Sequence, residues 1–335
     1  MLSADVLSMV QWAQALFCSI SFIFYAITVL IIIKNRKNSG LSSAYFKISA
    51  SLGVADLLSA TNDKLVIGPR MNGYFFEEYA LLDPVLKVLT NYFSWFSAVC
   101  NTFAIILLTL NRYMAIATPH RFDTLWTKKF ANRCIVGQWI LSALLTSPML
   151  KFAVGDYKRV QNSTLVQYVY RHPLTVQLAY SITVLYSTFM VVILLYMYGF
   201  AFWAAKKQKN LAERTERNST VRQVAVRSSE RQSIAIEVKL AVVGLVICIQ
   251  LVFISITLLI LSQSADFTKY FILYSVQRDI FTLSNPYVLI FCSKALRKKF
   301  RLLLPNWMSR SVGVHAVRTV RPSKAQLGNS RRAAK

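Results

Sequence analysis

Histidine is nearly absent from this chain, with three residues in 335, and cysteine is sparse, with five. His120, His172 and His315 all fall outside the long apolar runs, and no nucleophile–base pair or metal-ligand spacing gathers around them. A membrane enzyme therefore has no visible machinery. Cys18, Cys100, Cys134, Cys248 and Cys292 lie inside apolar runs or at their ends. They read as small packing residues, and no external disulfide framework is implied. Charge is scarce too. Only 16% of residues are charged and 55% are hydrophobic, which argues against a soluble domain of this size. Neither Lys nor Arg precedes Lys34, so the first apolar run lacks the basic flank of a cleaved signal. That run is also too long for a signal's apolar stretch and reads as a retained span. No internal or inverted repeat is evident, which weighs against a transporter.

What the sequence does have is a set of seven long apolar runs. They predict membrane spans at Gln11–Ile33, Ala44–Ile67, Val85–Ile116, Arg133–Val154, Pro173–Ala205, Ile234–Ser262 and Phe267–Cys292. At about 1.5 Å per residue each covers a ~30 Å hydrocarbon core as a helix. The third and fifth are long enough to tilt or protrude. The runs are continuous rather than alternating, which excludes a β-barrel. The expected fold is therefore an all-α seven-transmembrane helix bundle. The net charge of +25 sets its orientation. With the N-terminus outside, twenty-seven Lys and Arg fall in cytoplasmic segments and five in external ones. Topology and attraction to anionic lipid account for that charge, and no basic soluble module suggests nucleic acid.

The domain reading follows. Residues 1–10 form a short extracellular tail and 11–292 the membrane domain. Ser293–Leu304 (SKALRKKFRLLL) places Ala295, Leu296, Phe300, Leu303 and Leu304 at helical spacings among cations. It predicts an amphipathic helix on the inner leaflet. Residues 305–335 read as a disordered basic tail. The loop at 206–233 is expected to extend spans five and six as polar helices. Asn162-Ser163-Thr164 is a glycosylation acceptor in a loop predicted to be external.

Polar groups inside spans need partners, because a charge there costs about 2.5–3.5 kcal/mol on insertion scales. Asp56 lies in the middle of span two, Asn101 in span three and Asn285 in span seven. Two readings stand: a dry hydrogen-bonded cluster, or a sodium-like ion held by carboxylate and amide oxygens. Arg278 and Asp279 sit in the outer half of span seven, about two turns above Pro286. Neighbouring helical residues point about 100° apart, so each needs a partner elsewhere. Asp63 suits Arg278, and Lys87 or Lys64 suits Asp279; a ligand cavity and a structural ion pair remain alternatives. Asn91, Ser94 and Trp95 share one face of span three. With Gln177, Tyr180 and Tyr274 they outline an aromatic cavity with polar anchors. At the inner end of span three stand Asn111, Arg112 and Tyr113. A contact from Arg112 to Glu237 would hold spans three and six together and break in a switch. The alternative is an Arg112 that snorkels to the headgroups. Pro286 is expected to kink span seven, with Asn285 serving the freed backbone groups.

These motifs, in this order, resemble the rhodopsin-like G-protein-coupled receptors, and within them the nematode serpentine chemoreceptors of the gamma/V grouping. Ala55-Asp56-Leu57-Leu58, Asn111-Arg112-Tyr113 with Pro119, Trp139 with Pro148, Asn285-Pro286-Tyr287 and the SKALRKKF helix carry the resemblance across residues 10–304. It implies a chemosensory receptor in the plasma membrane, in a sensory-neuron cilium on the chemoreceptor reading. Such a receptor binds an external small molecule or short peptide and activates a heterotrimeric G protein. The resemblance assigns Arg112 to the G-protein switch, and Asp56 with Asn285 to a central polar network. It also shows departures. Asn111 replaces an Asp, Lys87 stands where a disulfide cysteine is usual, span one lacks its Asn and span six its Trp–Pro element. Ser94 stands where amine receptors carry an Asp, a role open to Asp279. The alternative function is a transporter or channel lined by Asp56, Arg278 and Asp279.

Overall fold

The computed structural model describes residues 4–37, 41–71, 74, 76–152, 155–159, 166–171, 173–216, 245–246, 248–257, 259–260 and 267–302. Each predicted span contains a described helix. Helix α1 is Ala4–Lys34, α2 is Ala44–Thr61, and a π-helical turn Asn62–Ile67 leads into α3, Gly68–Met71. Then come α4 (Phe76–Ala117), α5 (Pro119–Leu125), α6 (Lys128–Thr146) and α7 (Met149–Phe152). A hairpin of β1 (Gly155–Arg159) and β2 (Val166–Tyr170) precedes α8 (Pro173–Glu216). Helix α9 (Cys248–Thr257) lies in the sixth run, followed by α10 (Phe267–Cys292) and α11 (Lys294–Arg301).

Local chemistry sets the element ends. Thr127 caps α6 by accepting from the Phe130 N–H, and Ser293 caps α11 by accepting from the Leu296 N–H. Helix α6 ends at Thr146: Ser147 keeps right-handed helical geometry and returns its N–H to the Leu144 carbonyl, and Pro148 has no N–H with which to continue the ladder. Span four is thus shorter than its apolar run and finishes in the separate turn α7. In span two, Pro69 has no N–H to return to Leu65. The chain widens there, and the Gly68 N–H reaches the Asp63 carbonyl five residues back. Span three runs from Phe76, earlier than its apolar stretch, and α8 continues past Ala205 into polar sequence as expected. Helix α10 passes through Pro286 without a break. Helix α5, between spans three and four, and the hairpin are described elements that the seven-span reading lacked. The hairpin pairs antiparallel, Gly155 opposite Tyr170 through Arg159 opposite Val166.

Among the described residues, three helices are apolar and long enough to cross a membrane on their own composition: Met9–Lys34, Val85–Ala117 and Val184–Ala204. The others carry polar groups in their spans. Large side chains such as Trp12, Leu185, Tyr196 and Phe291 face outward and exposed, as a lipid-facing surface requires. The interior joins Ile31, Ile48, Leu52, Ile105, Leu108, Leu194, Tyr198 and Leu289 in one cluster. Between spans two and four, Trp139 Nε1 donates to Ser51 Oγ at 2.8 Å.

Spans one and two pack closely at Gly53. A β-carbon there would lie 2.5 Å from Val29 Cγ2 and 2.9 Å from the Tyr25 ring. Gly53→Ala is therefore expected to lower unfolding stability in detergent by about 1–3 kcal/mol, as overpacking does. Gly137→Ala, at a site with nothing within 4 Å, should cost nothing. Equal melting temperatures for the two variants would contradict this packing.

Candidate functional site

The polar residues of the spans form three levels along the bundle. The outermost sits where α10 faces the π-helical turn. Arg278 Nη2 meets Asp63 Oδ2 at 2.5 Å, and Lys64 Nζ meets Asp279 Oδ2 at 2.6 Å. A consecutive acid–base pair on span two thus opposes a consecutive base–acid pair on span seven. Arg278 also donates to Ser59 Oγ at 3.1 Å. Span one completes the level: Gln14 Nε2 donates to Asp279 and to Ser275 Oγ, and the Cys18 thiol donates to Asp279 Oδ2 at 3.2 Å. Of the two partners expected for Asp279, the structure selects Lys64. Lys87 is engaged elsewhere, with Asp156 of the hairpin at 2.7 Å. Asp63 Oδ1 is buried without a hydrogen-bond partner.

Two turns inward, Asp56 is almost fully buried and receives three donors. Asn101 Nδ2 lies 2.9 Å from Oδ1, while Tyr25 Oη at 2.5 Å and Asn285 Nδ2 at 3.4 Å share Oδ2. Tyr25 is the member that the sequence reading missed. It comes from span one, the span without the usual Asn, and the signal available was a lone tyrosine in an otherwise apolar stretch. Asn285 turns to this carboxylate rather than to the backbone freed by Pro286. Both amides present N–H groups to Asp56, not carbonyls. That orientation is the hydrogen-bonded cluster of the two readings, and Asn101 Oδ1 is buried there without a hydrogen-bond partner. No metal-ligand group of three appears among the described residues. Beside the cluster, Tyr287 Oη and Ser21 Oγ lie 2.9 Å apart, and Tyr287 stacks on Phe24 at 4.6 Å.

A cavity of about 20 Å³, room for one water, lies inward of Asp56 and is lined by Tyr25, Ser49, Arg112, Tyr198 and Asn285 among others. It leads to the third level. Arg112 is 4% exposed, so the snorkelling alternative does not describe it. Its guanidinium lies 3.9 Å over the Tyr45 ring, and Nη2 donates to Asn111 Oδ1 at 3.0 Å. Tyr113 packs on Phe200 of α8, with ring centroids 5.6 Å apart. Glu237, the expected partner of Arg112, lies outside the described residues, as does Asn162.

The expected cavity face of span three has other contacts. Ser94 Oγ and the Thr90 carbonyl both accept from Asn62 Nδ2 at 2.9 Å, which ties α4 to the π-helical turn. Asn91 donates to the Lys87 carbonyl of its own helix. Trp95 and Tyr274 are half-buried. Gln177 and Tyr180 lie on α8, with their side chains outside the described residues.

Removing one member of a buried ion pair strands the other in low dielectric. Full burial makes that cost about 3–5 kcal/mol; partial exposure here reduces it to about 2. Arg278→Met and Asp63→Leu should each destabilise the protein by about that amount, and together by less than the sum. A double-mutant cycle on unfolding in detergent measures this. Additive costs would show that the contact holds nothing.

The sequence profile of the serpentine-type seven-transmembrane chemoreceptor family Srv matches residues 14–305. Shorter stretches are similar to curated receptors. The human glucose-dependent insulinotropic receptor is 30% identical over 124 residues, covering 36% of this chain and 33% of that protein. The histamine H1 receptor of Cavia porcellus is 26% identical over 132 residues, 39% and 26% of the two chains. The gastrin/cholecystokinin type B receptor of Sus scrofa is 30% identical over 134 residues, 40% and 28%. The chain therefore spans a third or less of these relatives' lengths. All are receptors, and none favours the transporter reading. The chain is a multi-pass membrane protein, and it belongs to the serpentine-type seven-transmembrane G-protein-coupled chemoreceptor family Srv.

Proposed function

We propose that this protein is a chemosensory receptor that binds an external small molecule or short peptide and activates a heterotrimeric G protein. One observation carries the reading beyond family membership. Asp56 and Asp63 are seven residues apart on span two, and Asn285 and Arg278 are seven apart on span seven. Residues at that spacing share one face of a helix. The same two faces therefore meet twice, at the outer ion pair and at the Asp56 cluster. A ligand that competes for Arg278 or Asp279 shifts the upper contact, and the two rigid faces carry the shift to Asp56. A small cavity lined by Tyr25 and Asn285 of the Asp56 cluster and by Arg112 then lies between the two levels. A switch needs two arrangements of such contacts, and the outer ion pairs and the Asp56 cluster are the contacts that would differ between them.

In this reading the N-terminus is outside and the ligand enters near Asn91, Ser94, Trp95, Gln177, Tyr180, Tyr274, Arg278 and Asp279. Asn111, Arg112, Tyr113 and Glu237 form the G-protein switch, with Asn101 and Pro286 supporting the Asp56 and Asn285 network. The relatives' names, one an amine and one a peptide hormone, leave both ligand classes open. The protein resides in the plasma membrane, in a sensory-neuron cilium, with Asn162 glycosylated. Helix α11 rests on anionic lipid, with Leu296 buried beneath and Lys298, Lys299 and Arg301 about its last turn. The segments 1–10, 11–292, 293–304 and 305–335 keep the roles of external tail, membrane domain, surface helix and basic cytoplasmic tail.

The test is guanine-nucleotide exchange in cells expressing wild type or Arg112→Ala at matched surface level, against small odorants and secreted metabolites. A ligand response that falls at least about tenfold in the variant supports the reading, because an arginine lost from the switch removes charge-assisted contacts. No response from well-expressed wild type to any compound, with no basal exchange, would sink it.

A further inference from the structure

The hairpin between α7 and α8 is held in place by charge. No cysteine occurs in residues 155–171 or at the outer end of α4. An isolated two-stranded hairpin is marginal by itself, so its ties to the helices decide where it rests. Asp156 of β1 takes Lys87 Nζ of α4 at 2.7 Å through Oδ1. Arg171, just beyond β2, grips the same carboxylate with Nε on Oδ2 at 3.1 Å and Nη2 on Oδ1 at 3.2 Å. Arg171 thus orients the carboxylate from within the hairpin, and Lys87 is the bond that crosses to span three.

The next residue is gripped as well. The Arg70 guanidinium, from α3 at the end of span two, lies 3.5 Å over the Tyr157 ring, and Arg70 is 2% exposed. Successive strand residues point to opposite faces. The hairpin is therefore clamped on one face by Lys87 and on the other by Arg70. Strand β2 packs against both α3 and α8. The hairpin thus bridges the outer ends of spans two, three and five, above the level where Arg278 and Asp279 sit.

We propose that Lys87 and Asp156 are positioning residues that form a reversible ionic closure, fixing the hairpin across the outer end of span three and so setting access from outside to the bundle. The access role rests on the receptor reading; the closure itself does not. A covalent bridge would hold this loop permanently. A lysine–carboxylate pair holds it with a bond that salt screens and thermal motion opens, so the hairpin has an open state within reach. The pair is asymmetric. The Lys87 side chain is 12% exposed and Asp156 44%, so the fixed partner is the lysine on the helix and the releasing partner is the aspartate on the loop. Hydrogen bonds from Arg171 and then Lys87 hold Asp156 well below the usual carboxylate range. The closure therefore keeps its charge at neutral pH and loses it only as pH falls through that lowered value.

The experiment is amide hydrogen exchange of segments 155–159 and 166–170 in the full chain in lipid nanodiscs, with no ligand or G protein present. Wild type is compared with Lys87→Met, Asp156→Asn, the double variant, Lys87→Arg and Lys158→Met, an exposed cation on the same strand. Lys87→Met and Asp156→Asn should each speed exchange about tenfold, the double no more than either, because the contact opens once. Lys87→Arg should restore wild-type rates, and Lys158→Met should not differ from wild type. Raising ionic strength toward about 0.5 M should speed exchange in wild type and not in Lys87→Met. Unchanged protection in Lys87→Met, or additive effects in the double variant, would overturn the proposal. If Lys87→Met does not fold, the salt series on wild type decides alone, and protection insensitive to salt overturns it. Loss of the closure with intact signalling would remove the access role only, and loss of signalling with the closure intact would remove the receptor reading only.

Discussion

A carboxylate in hydrocarbon cannot stand alone, and the structure is arranged around that constraint at Asp56. Water is not available to solvate it, so donors must come from other helices. Spans one, three and seven each supply one, through Tyr25, Asn101 and Asn285. Those bonds fix how the four helices face each other. Gly53, one turn from Asp56 on the same helix, is the spatial counterpart: only a residue without a side chain lets Tyr25 come close enough to donate. The packing of spans one and two and the electrostatics of Asp56 are one arrangement.

The outer ion pairs repeat the logic with full charges. Two opposed charge pairs leave no net charge at that level, so the bundle tolerates four ionised groups in a half-buried layer. Their arrangement depends on a backbone irregularity. Pro69 withholds one hydrogen bond, the helix widens over Asn62–Ile67, and Asp63 and Lys64 are carried by that widened turn. Asn62, from the same turn, binds span three. A single missing N–H thus bears on two interfaces, and π-helical turns of this kind are often found at functional sites.

Much of this was legible in the residues. Asp56, Asn101 and Asn285 were conspicuous because amides and carboxylates in apolar runs must find each other. Arg278 with Asp63 followed from charge and depth alone. Tyr25 was not legible, because a tyrosine in a span is ordinarily packing and only the third dimension shows that its hydroxyl meets a carboxylate. The choice of Lys64 over Lys87 for Asp279 was equally invisible: both are cations near the outer surface, and the π-helical turn and the hairpin decide between them. Arg112 turning onto Tyr45 could not be read either, since nothing in the spacing links those two positions.

The sequence by itself determined the seven hydrophobic segments, because the cost of polar backbone and charge in lipid is written residue by residue and needs no partner to be read. It determined which polar groups would be embedded, and so which needed company. The tertiary structure alone decided the pairings. Hydrogen bonds and ion pairs act over about 3 Å, and whether two groups come that close depends on helix rotation, on a widened turn at Asn62–Ile67 and on a hairpin clamped by Lys87 and Arg70. Those are properties of several elements at once, and no single stretch of chain encodes them.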